Sequence, residues 1–196
     1  MLCRQVSETL KQEGRKVEEE RKQEVNLPKQ KELKIGKQWD FVASMQSKRW
    51  GHSATTHGNL IYSIGGNDGE KELASVERYN INSNSWESVT SLQSNRYNHA
   101  SVCCGDSIFC IGGLSNESLT NIVEKYDIKS NQWSSVTPII TSREKLGAAT
   151  YREFIFATGG YNGGSLATVE KYNTLTNQWS SVSRCNDDLL CLYCHE

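Results

Sequence analysis

The sequence predicts an all-β fold: three four-stranded antiparallel blades of the propeller type, plus one extra strand from a preceding blade. Three observations predict it. Glycine doublets at Gly65-Gly66, Gly112-Gly113 and Gly159-Gly160 recur every 47 residues. Tyr79, Tyr126 and Tyr172 follow at a near-constant distance, and seven residues after each stands Trp86, Trp133 or Trp179. Arg49, Arg96 and Arg143 keep the same 47-residue period. A unit of this length made of short β runs suits a propeller blade, a sheet too thin to stand alone whose faces are buried on its neighbours.

Taken in order, residues 1–38 form an arm with ten Lys/Arg and seven Asp/Glu, helical or disordered, whose apolar stripe (Val6, Leu10, Val17) is too short for a coiled coil. Trp39, 47 residues before Trp86, marks the outer strand of a preceding blade, although position 32 is Glu where a tyrosine would stand. The repeats occupy 39–183, with blades at 49–89, 96–136 and 143–182. In the first, the strands are HSATTH, LIYSI, SVERYN and SWESV, joined by turns at Gly58-Asn59 and Asn82-Ser83-Asn84. The glycine doublets close the second strand, where a tight backbone approach or a positive φ excludes a side chain. They are not a phosphate loop, because the segment after them is another strand and not a helix. The tyrosines and tryptophans are framework, each burying a large face with a polar tip left to hydrogen-bond. Residues 184–196 leave the repeat and read as a separate tail. Three blades are fewer than a ring needs, so the chain reads as a piece of a propeller, a truncated isoform, or a unit that self-associates to complete the ring.

The formal net charge is −1, with residues 39–196 carrying 12 basic against 16 acidic side chains, and nothing in bulk attracts nucleic acid or a membrane surface. There is no signal-peptide core and no apolar run of spanning length. Seven cysteines, an odd number, read as reduced thiols in the cytoplasm or nucleus. Cys103, Cys104 and Cys110 lie in strands as small apolar fillers. In the tail, CLYCH matches a haem-attachment spacing, and Cys185, Cys191, Cys194 and His195 are zinc-type ligands, but a reduced tail is expected, with no cofactor and no metal. His52 and His99 share a repeated position with Leu146, one per blade, and no nucleophile, base and orienting group come together. No enzyme is expected.

On the glycine doublet, the Glu-x-Tyr segment (Glu77, Glu124, Glu170), the tryptophan seven beyond and the following arginine, the chain resembles the kelch-repeat family. The resemblance implies a β-propeller that recognises proteins. It is similar to the substrate-recognition propeller of kelch-like adaptors of cullin ubiquitin ligases, here without a BTB part, so that a truncated form would compete for substrate. The alternative the resemblance offers is an actin-binding kelch protein.

Alternating strand direction puts the second-to-third-strand loops and the blade-to-blade loops on one face, as expected of a recognition surface on a rigid scaffold. From the blade-to-blade loops come Arg49, Trp50, Arg96, Tyr97, Asn98, Arg143 and Lys145, with Lys48 beside them; from the other loops come Asn67, Asp68, Glu117, Tyr161 and Asn162. Positions that differ between repeats (Trp50, Tyr97, Glu144; Asn67, Leu114, Tyr161) are the specificity candidates. The three arginines, identical in every repeat, have two readings: the resemblance makes them partner contacts, whereas their repetition suits loop framework. With arginine and aromatics on one rim, the expected partner is a short acidic or polar peptide segment.

Overall fold

The computed structural model describes residues 40–182; the charged arm, Trp39 and the Cys-rich tail lie outside the described residues. All strands lie in the unit that begins at Val42, and no helix occurs among the described residues. Blade 1 is β1 (Ser53–His57), β2 (Leu60–Ile64), β3 (Val76–Asn80) and β4 (Ser85–Val89). Blade 2 is β5 (Ala100–Cys104), β6 (Ser107–Ile111), β9 (Val123–Asp127) and β10 (Gln132–Val136), with a small hairpin of β7 (Leu114–Ser115) and β8 (Ser118–Leu119) between its middle strands. Blade 3 is β11 (Gly147–Tyr151), β12 (Phe154–Thr158), β13 (Val169–Asn173) and β14 (Gln178–Val182). Each blade is an antiparallel meander in chain order, so the unit is a partial propeller. The expected extra strand starts at Trp39, and both that start and the strand it would pair with lie outside the described residues. Residues 40–42 pair with no strand, and 43–48 run as a loop held on blade 1.

The seven-residue step from tyrosine to tryptophan is the register of a hairpin: Tyr79 faces Trp86, Tyr126 faces Trp133 and Tyr172 faces Trp179. Their ring centroids stand 5.2, 5.0 and 5.0 Å apart. The core forms two layers between blades. Tyr62, Ile64 and Val76 of blade 1 meet Ile108, Cys110, Tyr126 and Trp133 of blade 2. Val102, Phe109, Ile111 and Val123 on the far side of blade 2 meet Leu146, Ile155, Ala157 and Tyr172 of blade 3. Leu92 and Ile139, one from each joining loop, plug the two layers. Each such side chain contributes about 1.5–3 kcal/mol. The far side of blade 3 has no such cover among the described residues. Tyr151 there is 62% exposed and Val182 43%, whereas Val102 in the equivalent face of blade 2 is 7% exposed.

The glycine doublets mark blade junctions. A Cβ on Gly112 would stand 2.6 Å from the Arg143 carbonyl of the next blade, and one on Gly113 2.6 Å from the Tyr97 carbonyl of its own. Both have positive φ (63° and 97°), so a side chain is excluded twice over.

Candidate functional site

The topology brings the two expected loop classes together through backbone pairing. Trp50 and Asn67 exchange N–H···O bonds of 2.9 and 2.9 Å, Tyr97 and Leu114 of 3.0 and 2.9 Å, and Glu144 and Tyr161 of 3.0 and 2.9 Å. The two sets of repeat-variable positions are therefore one set of three pairs. Neighbouring loops are linked in turn: Asn98 N–H donates to the Gly51 carbonyl and Lys145 N–H to the Asn98 carbonyl, each at 2.7 Å. On the opposite face, Ile81, Ile128 and Thr174 donate to the carbonyls of Asn59, Asp106 and Glu153, tying the tight turns together there.

The structure does not place Arg49, Arg96 and Arg143 on the rim surface. Their side chains are 0% exposed, and each forms an ion pair, with Glu77, Glu124 and Glu170 at 2.5, 2.6 and 2.6 Å. Arg96 also donates to the carbonyls of Gly112 and Ile122, and Arg49 and Arg143 repeat this with Gly65 and Ser75, and with Gly159 and Thr168. Each carboxylate accepts from the loop that enters its blade: Glu124 from Gln93 N–H and the Ser94 hydroxyl, Glu77 from the N–H groups of Gln46 and Ser47, Glu170 from those of Ile140 and Thr141. The expectation that these arginines contact a partner is thus corrected. They satisfy the carbonyl of the first doublet glycine and share that of Ser75, Ile122 or Thr168, which also accepts the N–H of the same glycine. Burial pushes the Glu77 carboxyl up, but the Gln46 N–H and the Arg49 guanidinium outweigh it and hold the pKa below the usual carboxylate value.

A second clasp escaped the sequence reading. Asn84, Asn131 and Asn177 have positive φ (49°, 55°, 55°), and each side-chain oxygen accepts from the hydroxyl of the blade's tyrosine, Tyr79, Tyr126 or Tyr172. The same oxygens accept from Ala43, Thr90 and Thr137 N–H, whose carbonyls take the indole N–H of Trp86, Trp133 and Trp179. The repeat spacing of these asparagines carried the signal, but turn chemistry alone accounted for them in the sequence.

What the rim offers to solvent is aromatic and of mixed charge: Glu70 and Glu117 are exposed, as are Lys48, Lys71 and Lys145, whereas Glu144 is buried. Trp50 is 53% exposed and meets Tyr97 edge-to-face across the blade 1–2 junction, centroids 5.3 Å apart and planes at 73°. Tyr161, Asn162 and Glu117 are exposed, Asn67 and Asp68 half-buried, and Lys145 lies open beside Glu144. Asn98 donates its amide to Glu144 at 2.7 Å. Glu72 accepts the N–H groups of Asn116 (2.8 Å) and Glu117 (3.0 Å), residues in the left-handed region at the tip of the β7–β8 hairpin, and so fastens that hairpin to blade 1. Burial, then the charges of Glu72, Glu144 and Glu117, raise the Tyr97 pKa.

The histidines are structural. Burial, with the Arg96 charge, lowers the His99 pKa to about 3, and its Nε2 lies 2.7 Å from the Ser53 hydroxyl of blade 1. Burial pushes the free Cys110 thiol up to about 12. Among the described residues no three His, Cys, Asp or Glu side chains gather around a point that could hold a metal ion.

Against this geometry, the family model described as the KLHDC2/KLHL20/DRC7 Kelch-repeats domain matches residues 29–192. The chain is also similar to Kelch-like protein 38 of Mus musculus, 49% identical over 43 residues, which are 21% of this chain. The match spans only 7% of the length of that relative.

Proposed function

Because the chain belongs to the kelch-repeat family, whose repeats mediate protein–protein interaction, we propose that it is a non-enzymatic recognition module whose rim at the blade-to-blade loops binds a protein segment. One observation carries the reading. Three backbone bridges fix the variable pairs Trp50–Asn67, Tyr97–Leu114 and Glu144–Tyr161 on one face, so side chains of different chemistry ride on an identical frame. Rigid placement of exposed aromatics is what a binding hot spot needs, since little side-chain entropy is lost on contact. The contact set is Trp50, Asn67, Asp68, Tyr97, Asn98, Glu117, Lys145, Tyr161 and Asn162. The role that fits best is substrate recruitment of the kind served by kelch-like ubiquitin-ligase adaptors, a reading supported by the short match to Kelch-like protein 38.

Crosslinking capture followed by variant comparison tests this. Trp50→Ala and Tyr161→Ala should lose a captured partner that Asn59→Ala and Glu153→Ala on the opposite face retain. Loss by the opposite-face variants alone would place recognition on the wrong side. Co-sedimentation with actin filaments, if Trp50-dependent, would replace substrate recruitment with cytoskeletal attachment.

A further inference from the structure

We propose that the rim over the junction of blades 1 and 2 binds a basic side chain, Lys or Arg, presented by an extended segment of a partner protein. The proposal rests on the rim being the recognition face and deepens that reading to the chemistry of the partner.

It stands first on what the arginines do. Arg49 and Arg96 are closed to solvent and already paired, so they add nothing to the surface available to a ligand. An acidic peptide loses the arginine partners that the sequence assigned to it, and Lys145 already lies beside the Glu144 carboxylate. The second observation is an open aromatic surface. Trp50 is half exposed and is braced edge-to-face by Tyr97, which leaves indole area facing solvent on a backbone held by the Asn67 bridge. An indole face is the best aromatic partner for a cation. The third is the placement of carboxylates around that pair. Glu72 is anchored on the hairpin tip by two N–H groups, Glu144 is held buried by the Asn98 amide, and Glu117 is exposed at the tip itself. Their charges act on the Tyr97 hydroxyl. Glu72 and Glu144 are placed by the fold and not by chance rotamers of a free surface. A guanidinium or ammonium on the aromatic pair would sit in the field of these carboxylates, with Glu117 open to solvent at the hairpin tip, whereas an anionic side chain at the pair would meet that like charge, which suppresses wrong partners.

A positional-scanning array of mixed-sequence peptides, each with one fixed residue and probed with the labelled full chain, tests this. Peptides with fixed Arg or Lys should be retained about fivefold more than those with fixed Asp or Glu, the gain of one exposed cation–aromatic contact. The preference should shrink as salt is raised. Trp50→Ala should abolish it and Glu117→Gln should weaken it, while Glu153→Gln on the opposite face leaves it intact. If Trp50→Ala lowers the melting temperature, Glu117→Gln decides the matter. Trp50-dependent retention of acidic peptides would overturn the basic-partner proposal and leave the rim as the recognition face. Equal retention of all peptides, unaffected by Trp50→Ala, would overturn both.

Discussion

The Arg96 guanidinium lies 2.6 Å from the Glu124 carboxylate with both side chains sealed from water, and the pair serves as the bolt between a blade and the loop that enters it. The Glu124 end holds Gln93 and Ser94 of the loop, and the Arg96 end holds the carbonyls of Gly112 and Ile122 at the glycine doublet. Replacing both partners by apolar groups, often harmless for an isolated buried pair, would here orphan the Gln93 N–H, the Ser94 hydroxyl and the Gly112 carbonyl.

Removing one charge is therefore expected to be costly. Glu124→Gln leaves Arg96 buried without compensation and should lower unfolding stability by about 3–5 kcal/mol, read from the shift of the urea midpoint. Asp106→Asn, which touches only surface pairs, with Lys129 and His57, should leave the midpoint in place. Equal midpoints for the two variants would mean that the bolt carries no load.

Stability should also fall as the solution is acidified below neutrality. His99 stays neutral in the fold to about pH 3 but takes a proton near pH 6.5 when unfolded. A folded pKa below the unfolded one gives stability that is complete above pH 6.5 and is lost as pH falls from 6.5 towards 3. The slope approaches about 1.4 kcal/mol per pH unit. Chemical denaturation at stepped pH should show this slope, and His99→Gln should flatten it. An unchanged slope in that variant would assign the pH dependence elsewhere.

Equivalent glycines should not be equally sensitive. Gly112 and Gly159 have nearly the same φ (63° and 61°), so alanine strains the backbone at both by about 1–2 kcal/mol. At Gly112 the new Cβ would also strike the Arg143 carbonyl at 2.6 Å, while at Gly159 the nearest atom is 3.4 Å away. Gly112→Ala should be the more destabilising in thermal unfolding. The reverse order would contradict the junction described between blades 2 and 3.

The face of blade 3 left without cover among the described residues should make the chain associate when it is purified alone. Tyr151 and Val182 occupy positions that blade 3 itself covers on blade 2, and exposed apolar faces of this kind seek a partner. Light scattering should report a mass above that of one chain, and Tyr151→Lys should move it towards one chain. A well-folded wild-type monomer at micromolar concentration would count against it.

The strands and the loop faces were legible because a period of 47 aligns β runs, turns and glycines at once. The burial of Arg49, Arg96 and Arg143 was not. A charge repeated in every unit has the same spacing whether it answers a ligand or a carbonyl, and only the distance to Glu77, Glu124 or Glu170 separates the two. The β7–β8 hairpin was hidden for a different reason. Its tip places Asn116 and Glu117 in the left-handed region with no glycine, and the Glu72 carboxylate that caps it comes from another blade's loop. The carboxylates that act on Tyr97 came into view only once the arginines had been subtracted from the rim.

A backbone bridge is indifferent to the side chains at its two ends. Trp50–Asn67, Tyr97–Leu114 and Glu144–Tyr161 close with the same hydrogen bonds although they share no chemistry. Copying the unit therefore copies the frame, while the side chains at the six rim positions are released from the duty of closing it. Such a protein can change what it reads one letter at a time, each new letter judged by the ligand and not by the fold.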